Sequence, residues 1–432
     1  MRVLIVTHYF PPETGAPQAR LSGLAATWAA DGDEVTVLTG MPNHPTGVLP
    51  PAYRRALFRR ELVGGYRVVR TWLYATPNEG MARKTLGHLS FMVSSVLLGW
   101  RAAGPADVVV VSSPTFFSIL SGWLLARLKR ACFVVEVRDL WPAIFVELGV
   151  LTNHRIIALL ERLELAAYAA ADQVVVVSEG FRADLIRRGV PSAKAHTIRN
   201  GVDVDRFAPV ADAPAELRSR LGAGRDDCLV LYAGTHGISQ GLPVIADAAA
   251  LLEARSKSDR RAGEPVVRLA FVGDGAHKRR LERRVAELGL GNVVLLPGVP
   301  NAEMPGLLAA ADICLVPLRD VPLFATFIPS KMFECLAAGK AVIGSVTGEA
   351  AQILAEAGAV VVPPEDDGSL AAAISALAAD PELREMMGKK GRAFVERCYD
   401  RAALAREYRK VLDVAVASRR DDASYPARKA RG

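Results

Sequence analysis

The 432-residue chain is 51% apolar and 23% charged, which excludes general disorder, and it is too long for one ordinary core, so two domains of roughly 200 residues are expected. Its net charge of +7 suits an anionic partner, whether a nucleotide, an acidic membrane surface or a nucleic acid, and charge alone does not choose among them. Cys132, Cys228, Cys314, Cys335 and Cys398 are odd in number, widely spaced and mostly set in apolar runs, which argues for reduced core residues over a disulfide frame or a zinc site.

Met1-Arg2-Val3-Leu4-Ile5-Val6 enters a strand directly, without the apolar segment and cleavage site of a signal peptide, so no export is expected. Short β-branched runs at 3–7, 35–38, 108–111, 133–137 and 174–177 alternate with helical segments such as 18–30 and 154–171. Continuous apolar strands between helices predict a parallel sheet covered on both faces. The rhythm restarts at 228–232, 267–272, 293–296 and 313–317, so two Rossmann-like halves are predicted.

In such sheets, ligands sit beyond the carboxyl ends of the strands. The first such loop runs from His8 through Thr14 and Gly15 to Pro17; Gly15 either lets backbone approach a diphosphate or acceptor, or simply makes a turn before a helix. The run 53–101 sets Arg54, Arg55, Arg59 and Arg60 around Leu57 and Phe58, then Arg83 and Lys84 before the uncharged stretch 85–100. That stretch is shorter than the ~20 residues a bilayer span needs; it reads as a core helix or as a monotopic surface on an anionic membrane. Glu136-Val137-Arg138-Asp139 ends an apolar strand with charge, as a structural ion pair or a functional one.

Between the halves, Asp203-Val204-Asp205 has the form of a metal-binding DxD, but the doubly wound layout argues against the fold that uses it. With no HxxxH or Cys-x-x-Cys, no metal site is expected. The Gly-rich loop 232–242 offers His236 and Gln240, and Gly273-Asp274-Gly275 is not a GxGxxG.

Further on, Pro329 disfavours helix at Ile328, Ser330 is a good N-cap and Gly339 suits the C′ position, so a helix over 331–338 is predicted. Met332, Phe333 and Leu336 would face inward. Ser330, Lys331 and Glu334 share the other face near the helix start, as an anion site or as a solvated Lys–Glu pair worth only ~0.2–0.5 kcal/mol. An amphipathic helix at about 401–415 and a polar, basic tail from Arg419, expected to be disordered, close the chain.

The stretch 328–343 resembles the nucleotide-sugar motif of family 4 retaining glycosyltransferases of the GT-B fold, in which two glutamates seven residues apart precede an Ala-x-Gly-x-Pro-Val turn. Glu334 matches the second glutamate, which in the family holds the ribose hydroxyls. Thr326 stands at the first, and Ala341 replaces the usual proline. Pro329-Ser330-Lys331 is similar to the branch that makes bacterial surface polysaccharides. Asn200-Gly201-Val202-Asp203…Phe207 resembles the family's entry into its second domain. The loop 232–242 matches the one that usually carries Arg and Lys against the donor phosphates, and both cations are missing here; Val299 falls in the loop that usually meets the base.

The resemblance implies an α/β protein of the GT-B fold, two Rossmann-like domains with a cleft between them. The expected organisation is an acceptor-side domain over 1–199, a linker over 200–224, a nucleotide-sugar domain over 225–395, a helix over 396–418 packing back on the first domain, and the tail 419–432. The implied function is retaining transfer from a nucleotide diphosphate sugar, UDP-linked and with an N-acetylated amino sugar among the donors considered, to a lipid-linked or polysaccharide acceptor of the cell envelope. A nucleotide-sugar epimerase and a non-catalytic sugar-nucleotide-binding protein are the alternatives. Asp139 and Lys331 are the expected catalytic residues. Gly15, His236, Gln240, Val299, Ser330, Lys331 and Glu334 are expected on the donor, and His8, Thr14 and Arg138 on the acceptor side. No cofactor, metal or nucleic acid is expected, and the location is cytoplasmic, peripheral on the inner membrane face through 53–101.

Overall fold

The computed structural model describes the chain except residues 14, 45, 77–80, 114–115, 148, 150, 211–214, 259–263 and 430–432, and except the side chains of 81–82, 116 and 420–429. It divides into two compact units, Met1–Asn200 with Arg401–Gly432, and Gly201–Asp400.

The first unit is built on strands β1 (Arg2–Val6), β2 (Glu34–Gly40), β3 (Phe58–Val63), β4 (Tyr66–Thr71), β5 (Val108–Ser112), β6 (Cys132–Val137), β7 (Gln173–Val176) and β8 (Ala195–Thr197). Their order in the sheet is β3-β4-β2-β1-β5-β6-β7-β8. All neighbours are parallel except β3, which pairs antiparallel with β4. That hairpin is absent from the sequence reading, although Gly64-Gly65 is a two-residue turn signal.

Alternation along the strands serves two faces. Val3, Ile5, Val35, Val37, Val108 and Val110 point to a core completed by Leu21, Leu24 and Trp28 of the helix Ala16–Ala30 and by Tyr408 and Leu412 of the helix Arg401–Lys429. Trp28 fixes this contact, its Nε1 donating to the Ala405 carbonyl at 2.8 Å and its ring meeting Tyr408 edge-on at 5.4 Å. On the opposite face Leu38 and Val111 press so closely on Gly99 and Gly122 that a Cβ at either glycine would lie within 2.8 Å of them. The run expected as one helix over 85–100 is a helix at Met81–Leu97 followed by a short one at Gly99–Ala102.

The second unit holds β9 (Cys228–Ala233), β10 (Val267–Val272), β11 (Val293–Leu296), β12 (Ile313–Pro317), β13 (Ala341–Ser345) and β14 (Val360–Val362), all parallel, in the order β11-β10-β9-β12-β13-β14. The segment read as a linker packs on this unit: Val202 is buried and its N–H donates to the Tyr399 carbonyl, and Arg218 donates to Asp312 at 3.1 Å. In both sheets the chain leaves the middle strand in one direction and later resumes on its other side. The loops after β1 and β9 therefore open at topological switch points, where doubly wound sheets place ligands.

Candidate active site

In the second unit the site is assembled from the loops after β9, β10 and β11 and from the helix Lys331–Ala337. Helix packing is as expected: Met332, Phe333 and Leu336 are buried, joined by Cys335, and Gly339 takes φ 67° past the helix end. The start of the helix differs from the sequence reading. Ser330 has helical angles (φ −58°, ψ −28°) and no side-chain cap bond, because the turn at Pro329 already begins the coil: the Met332 and Phe333 amides donate to the Pro329 and Ser330 carbonyls at 3.1 and 3.2 Å. Two of the amides expected to be free for an anion are thus satisfied within the turn.

Lys331 also departs from expectation. Its side chain runs under the loop after β9, where Nζ donates to the Tyr232 hydroxyl at 2.6 Å and lies 3.9 Å from the centre of that ring. The Tyr232 hydroxyl passes its own proton to the Thr235 carbonyl at 2.6 Å, so it receives Lys331 through a lone pair. Gly234 makes room for this. A Cβ there would come within 2.9 Å of Nζ, and φ is +139°, where side-chain-bearing residues are rare. Burial lowers the Lys331 ammonium to about 8, an effect that Cys335 and Glu334 partly oppose. Glu334 lies half-buried on the same helix.

The loops are laced tightly. His236 donates its N–H to the Asp274 carbonyl and accepts from the His277 amide, both at 2.9 Å. Asp274 in turn accepts from the Gly298 amide and from Lys278, both at 2.7 Å, and these partners, Lys278 first, hold its carboxyl below the usual range. Gly273 touches the loop after β9 so closely that a Cβ would fall 1.9 Å from the Gly234 carbonyl oxygen. His236 is fully buried, and neither ring nitrogen has a hydrogen-bond partner. Burial first, then Lys278 and Lys331, push it down to about 4, so it is neutral at physiological pH. Gln240, expected on the donor, closes its own loop by accepting from the Gly237 amide at 3.0 Å. Val299 is half-buried directly after Gly298. Thr326, at the place of the family's first glutamate, folds its hydroxyl back to the Leu323 carbonyl at 2.7 Å. Asp203 of the DxD-like run accepts from the Arg206 amide at 3.1 Å, as a turn residue does. Among the described residues no group of three or more His, Cys, Asp or Glu is arranged to hold a metal ion.

In the first unit, Gly15 caps the helix Ala16–Ala30, and a Cβ on it would sit 2.5 Å from Gln18 Oε1, a buried atom with no partner. Thr14 lies outside the described residues. His8 is buried at the end of β1 among rings: Tyr9 at 4.4 Å, His88 at 4.6 Å and Phe91 at 5.0 Å between centroids. The Tyr9 hydroxyl bonds His88 Nε2 at 3.3 Å, and His44 stands 5.2 Å from the Tyr9 ring. Burial lowers all three imidazoles, His88 to about 4. Glu13 ties the cluster together, taking the amides of Phe10 at 3.0 Å and of Asn43 and His44 at 2.8 Å on one buried carboxylate. Tyr9, Glu13, His44 and His88 are missing from the sequence reading. The acidic residue following two prolines in the first loop was the available signal for Glu13.

At the end of β6, fully buried Glu136 accepts from Ser112 at 3.1 Å and faces two guanidinium groups, Arg20 at 3.4 Å and Arg138 at 3.7 Å. Arg138 thus pairs back into the strand; burial pushes it down to about 10. Asp139 is half-buried beside it, and burial raises its carboxyl, with Arg138 opposing.

Residues 15–201 match the Glycosyl transferase 4-like domain, and residues 215–394 the Glycosyl transferases group 1 domain. The chain is 30% identical over 423 residues to WcaI of Escherichia coli (strain K12), named as a colanic acid biosynthesis glycosyl transferase, covering 94% of this chain and 98% of the relative. It is 31% identical to the GDP-mannose-dependent alpha-(1-6)-phosphatidylinositol monomannoside mannosyltransferase of Mycolicibacterium smegmatis, covering 90% of this chain and 92% of the relative. Its fold is similar to sucrose-phosphate synthase from Thermosynechococcus elongatus, with a TM-score of 0.71 at 22% identity over 96% of this chain and 99% of that one. Anabaena Alr3699/HepE in complex with UDP-glucose gives a TM-score of 0.70 at 17% identity over 96% and 100%. The chain therefore belongs to the family 4 glycosyltransferases of the GT-B fold and is a hexosyltransferase of polysaccharide or glycoconjugate biosynthesis.

Proposed function

We propose that the second unit binds a nucleoside diphosphate sugar, UDP-linked, and that its sugar passes with retention to a lipid-linked or saccharide acceptor held by the first unit. The observation that carries this reading is Lys331, a cation lodged beside Gly234 against Tyr232, with neutral, unpartnered His236 next to it. As the bond between the anomeric carbon and the diphosphate breaks, negative charge grows on the leaving oxygen, and a fixed ammonium stabilises that charge more than it stabilises the bound donor. The acceptor oxygen attacks on the same face. Glu334 receives the ribose hydroxyls, Ser330 and Val299 line the nucleotide, and His236 offers a neutral N–H to the donor. Gly15 leaves room for the diphosphate, and Asp139 addresses the sugar and the acceptor hydroxyl, with Arg138 and His8 on the acceptor side. Because Gln240 is engaged in its own loop, Lys331 stands in for the family's missing cations.

UDP-glucose in the Anabaena structure and GDP-mannose in the name of the M. smegmatis relative support a hexose on a nucleoside diphosphate. Transfer is proposed to need no metal. No helix among the described residues is long and apolar enough to cross a membrane; a peripheral place on an anionic inner membrane face, through 53–101, is proposed for reaching a lipid-linked acceptor. Calorimetric titration with UDP, UDP-glucose, UDP-N-acetylglucosamine and GDP-mannose, with and without EDTA, tests the donor assignment. UDP donors should bind tighter than GDP-mannose, and equally with EDTA; a preference for GDP-mannose or a need for divalent cation would overturn it.

A further inference from the structure

We infer that Glu136 and Arg20 are positioning residues for sugar transfer: they hold the Arg138 guanidinium back against the end of β6 and so leave the Asp139 carboxylate unpaired for the reacting groups. The inference rests on the proposed role of Asp139 and goes beyond it by assigning two residues that act only through another side chain.

Glu136 stands in register with Ser112 of β5 and is fully buried. A carboxylate in such a place is costly, and apolar side chains of similar volume commonly stabilise a core at least as well as a buried ion pair does, so packing alone gives no reason for it. Its charge is matched twice. Arg20, from the helix Ala16–Ala30, brings Nε to Oε2 at 3.4 Å, and Arg138 brings Nη1 to Oε1 at 3.7 Å, with the two arginine side chains only 6% and 7% exposed. One buried anion therefore faces two buried cations.

The two cations are held differently. Arg20 is braced, its Nη1 donating to the Arg199 carbonyl at 2.7 Å and its Nη2 to the Ile198 carbonyl at 2.9 Å, with its guanidinium carbon 6.0 Å from the Tyr408 ring centre. Among the described residues no hydrogen bond holds Arg138: Nη1 is buried without a partner, and 3.7 Å is beyond hydrogen-bond range. Charge alone orients it. Arg20 and Arg401 repel it, and two carboxylates draw it, Glu136 within the strand and Asp139 in the bend that follows. Ser112, donating to Oε1 at 3.1 Å, and Arg20, on Oε2, fix the Glu136 carboxylate where it draws Arg138 inward.

Asp139 gains from this arrangement. No hydrogen bond or ion pair among the described residues occupies its carboxylate; burial raises it, with Arg138 the opposing charge. An unpaired carboxylate can stabilise the positive charge that grows at the anomeric carbon as the diphosphate leaves, whereas one neutralised by a guanidinium does so far less.

The test is the titration of the Asp139 carboxyl in the full chain, by NMR of protein carrying 13C-labelled aspartate, with the Asp139 signal identified by its loss in Asp139→Asn. Glu136→Gln should lower that titration below wild type, because Arg138 turns to Asp139, and Arg138→Met should raise it, because the opposing cation is gone. Glu136→Asp draws the carboxylate one bond away from Arg138 while keeping both arginines matched; it should shift the titration in the same direction as Glu136→Gln, by less, and it serves if the Gln variant does not fold. With UDP-glucose or UDP-N-acetylglucosamine and polyprenyl-diphosphate sugar, kcat of the Glu136 variants should fall by up to about a hundredfold while UDP affinity stays unchanged. Titration and kcat at wild-type values in all three variants, whatever happens to melting, would make the network structural and overturn the inference, and a dead Asp139→Asn would then still support the role of Asp139. Wild-type turnover by Asp139→Asn overturns that role and the inference with it. Absence of turnover by the wild type overturns the transfer reading for these substrates, and the carboxyl titration still decides the geometry.

Discussion

Replacing Lys331 with methionine should make the free protein more stable while removing its transfer activity. Burial under the loop after β9 lowers the ammonium from 10.5 to about 8. Each tenfold loss of proton affinity is about 1.4 kcal/mol, so keeping this charge in the folded chain costs about 3 kcal/mol at neutral pH. Below about pH 8 folded and unfolded chains both hold the proton, and the whole penalty is felt. Between about 8 and 10.5 the folded chain releases it while the unfolded chain keeps it, so wild-type stability rises with pH across that window. The variant should therefore melt roughly 5–10 °C above wild type at neutral pH, with the gap closing toward the upper end of the window. Differential scanning fluorimetry at both ends reads this directly. Turnover should fall by a factor on the order of 10²–10³, as for removal of one preorganised charge partner of a leaving group. A variant that melts lower at neutral pH and keeps its kcat would refute the reasoning on both counts.

Three further outcomes follow from the same site. Glu334→Ala should weaken UDP binding by about 1–3 kcal/mol with melting unchanged, since the residue is half-buried on the helix; unchanged affinity with a lower melting temperature would make it structural. Gly273→Ala would push a methyl group to 1.9 Å from the Gly234 carbonyl oxygen, so the two loops must part. UDP binding should be lost in calorimetry, and retained affinity would mean the loops do not act together. UDP affinity of the wild type should fall as pH rises through about 8, because Lys331 loses the charge that meets the phosphates; a flat profile would remove Lys331 from the donor site.

The parallel sheets were legible because their strands are unbroken β-branched runs buried on both faces, as at Val108–Ser112. The hairpin β3–β4 was not. β3 lies at the sheet edge with most of its residues exposed, so Phe58–Val63 lacks the apolar signature, and its arginines suggested a membrane-facing basic surface instead. The core-facing side of the helix Lys331–Ala337 followed from spacing alone, whereas the turn at Pro329 leaves Ser330 at the cap position with helical angles and no side-chain cap bond. The partner of Lys331 is 99 residues away in sequence, at Tyr232, and no local pattern announces such a pair. His44 and His88 likewise reach His8 and Tyr9 only through the sheet order that brings their elements together.

The central claim, a donor activated by Lys331 and discharged to an acceptor, is tested most directly by release of nucleoside diphosphate. UDP-glucose and UDP-N-acetylglucosamine would be incubated with wild type and with Lys331→Met, each with and without polyprenyl-diphosphate sugar. The account predicts that UDP is released by the wild type only when acceptor is present, and that the variant releases little under any condition. Release that ignores the acceptor, or that the variant sustains at the wild-type rate, would contradict it.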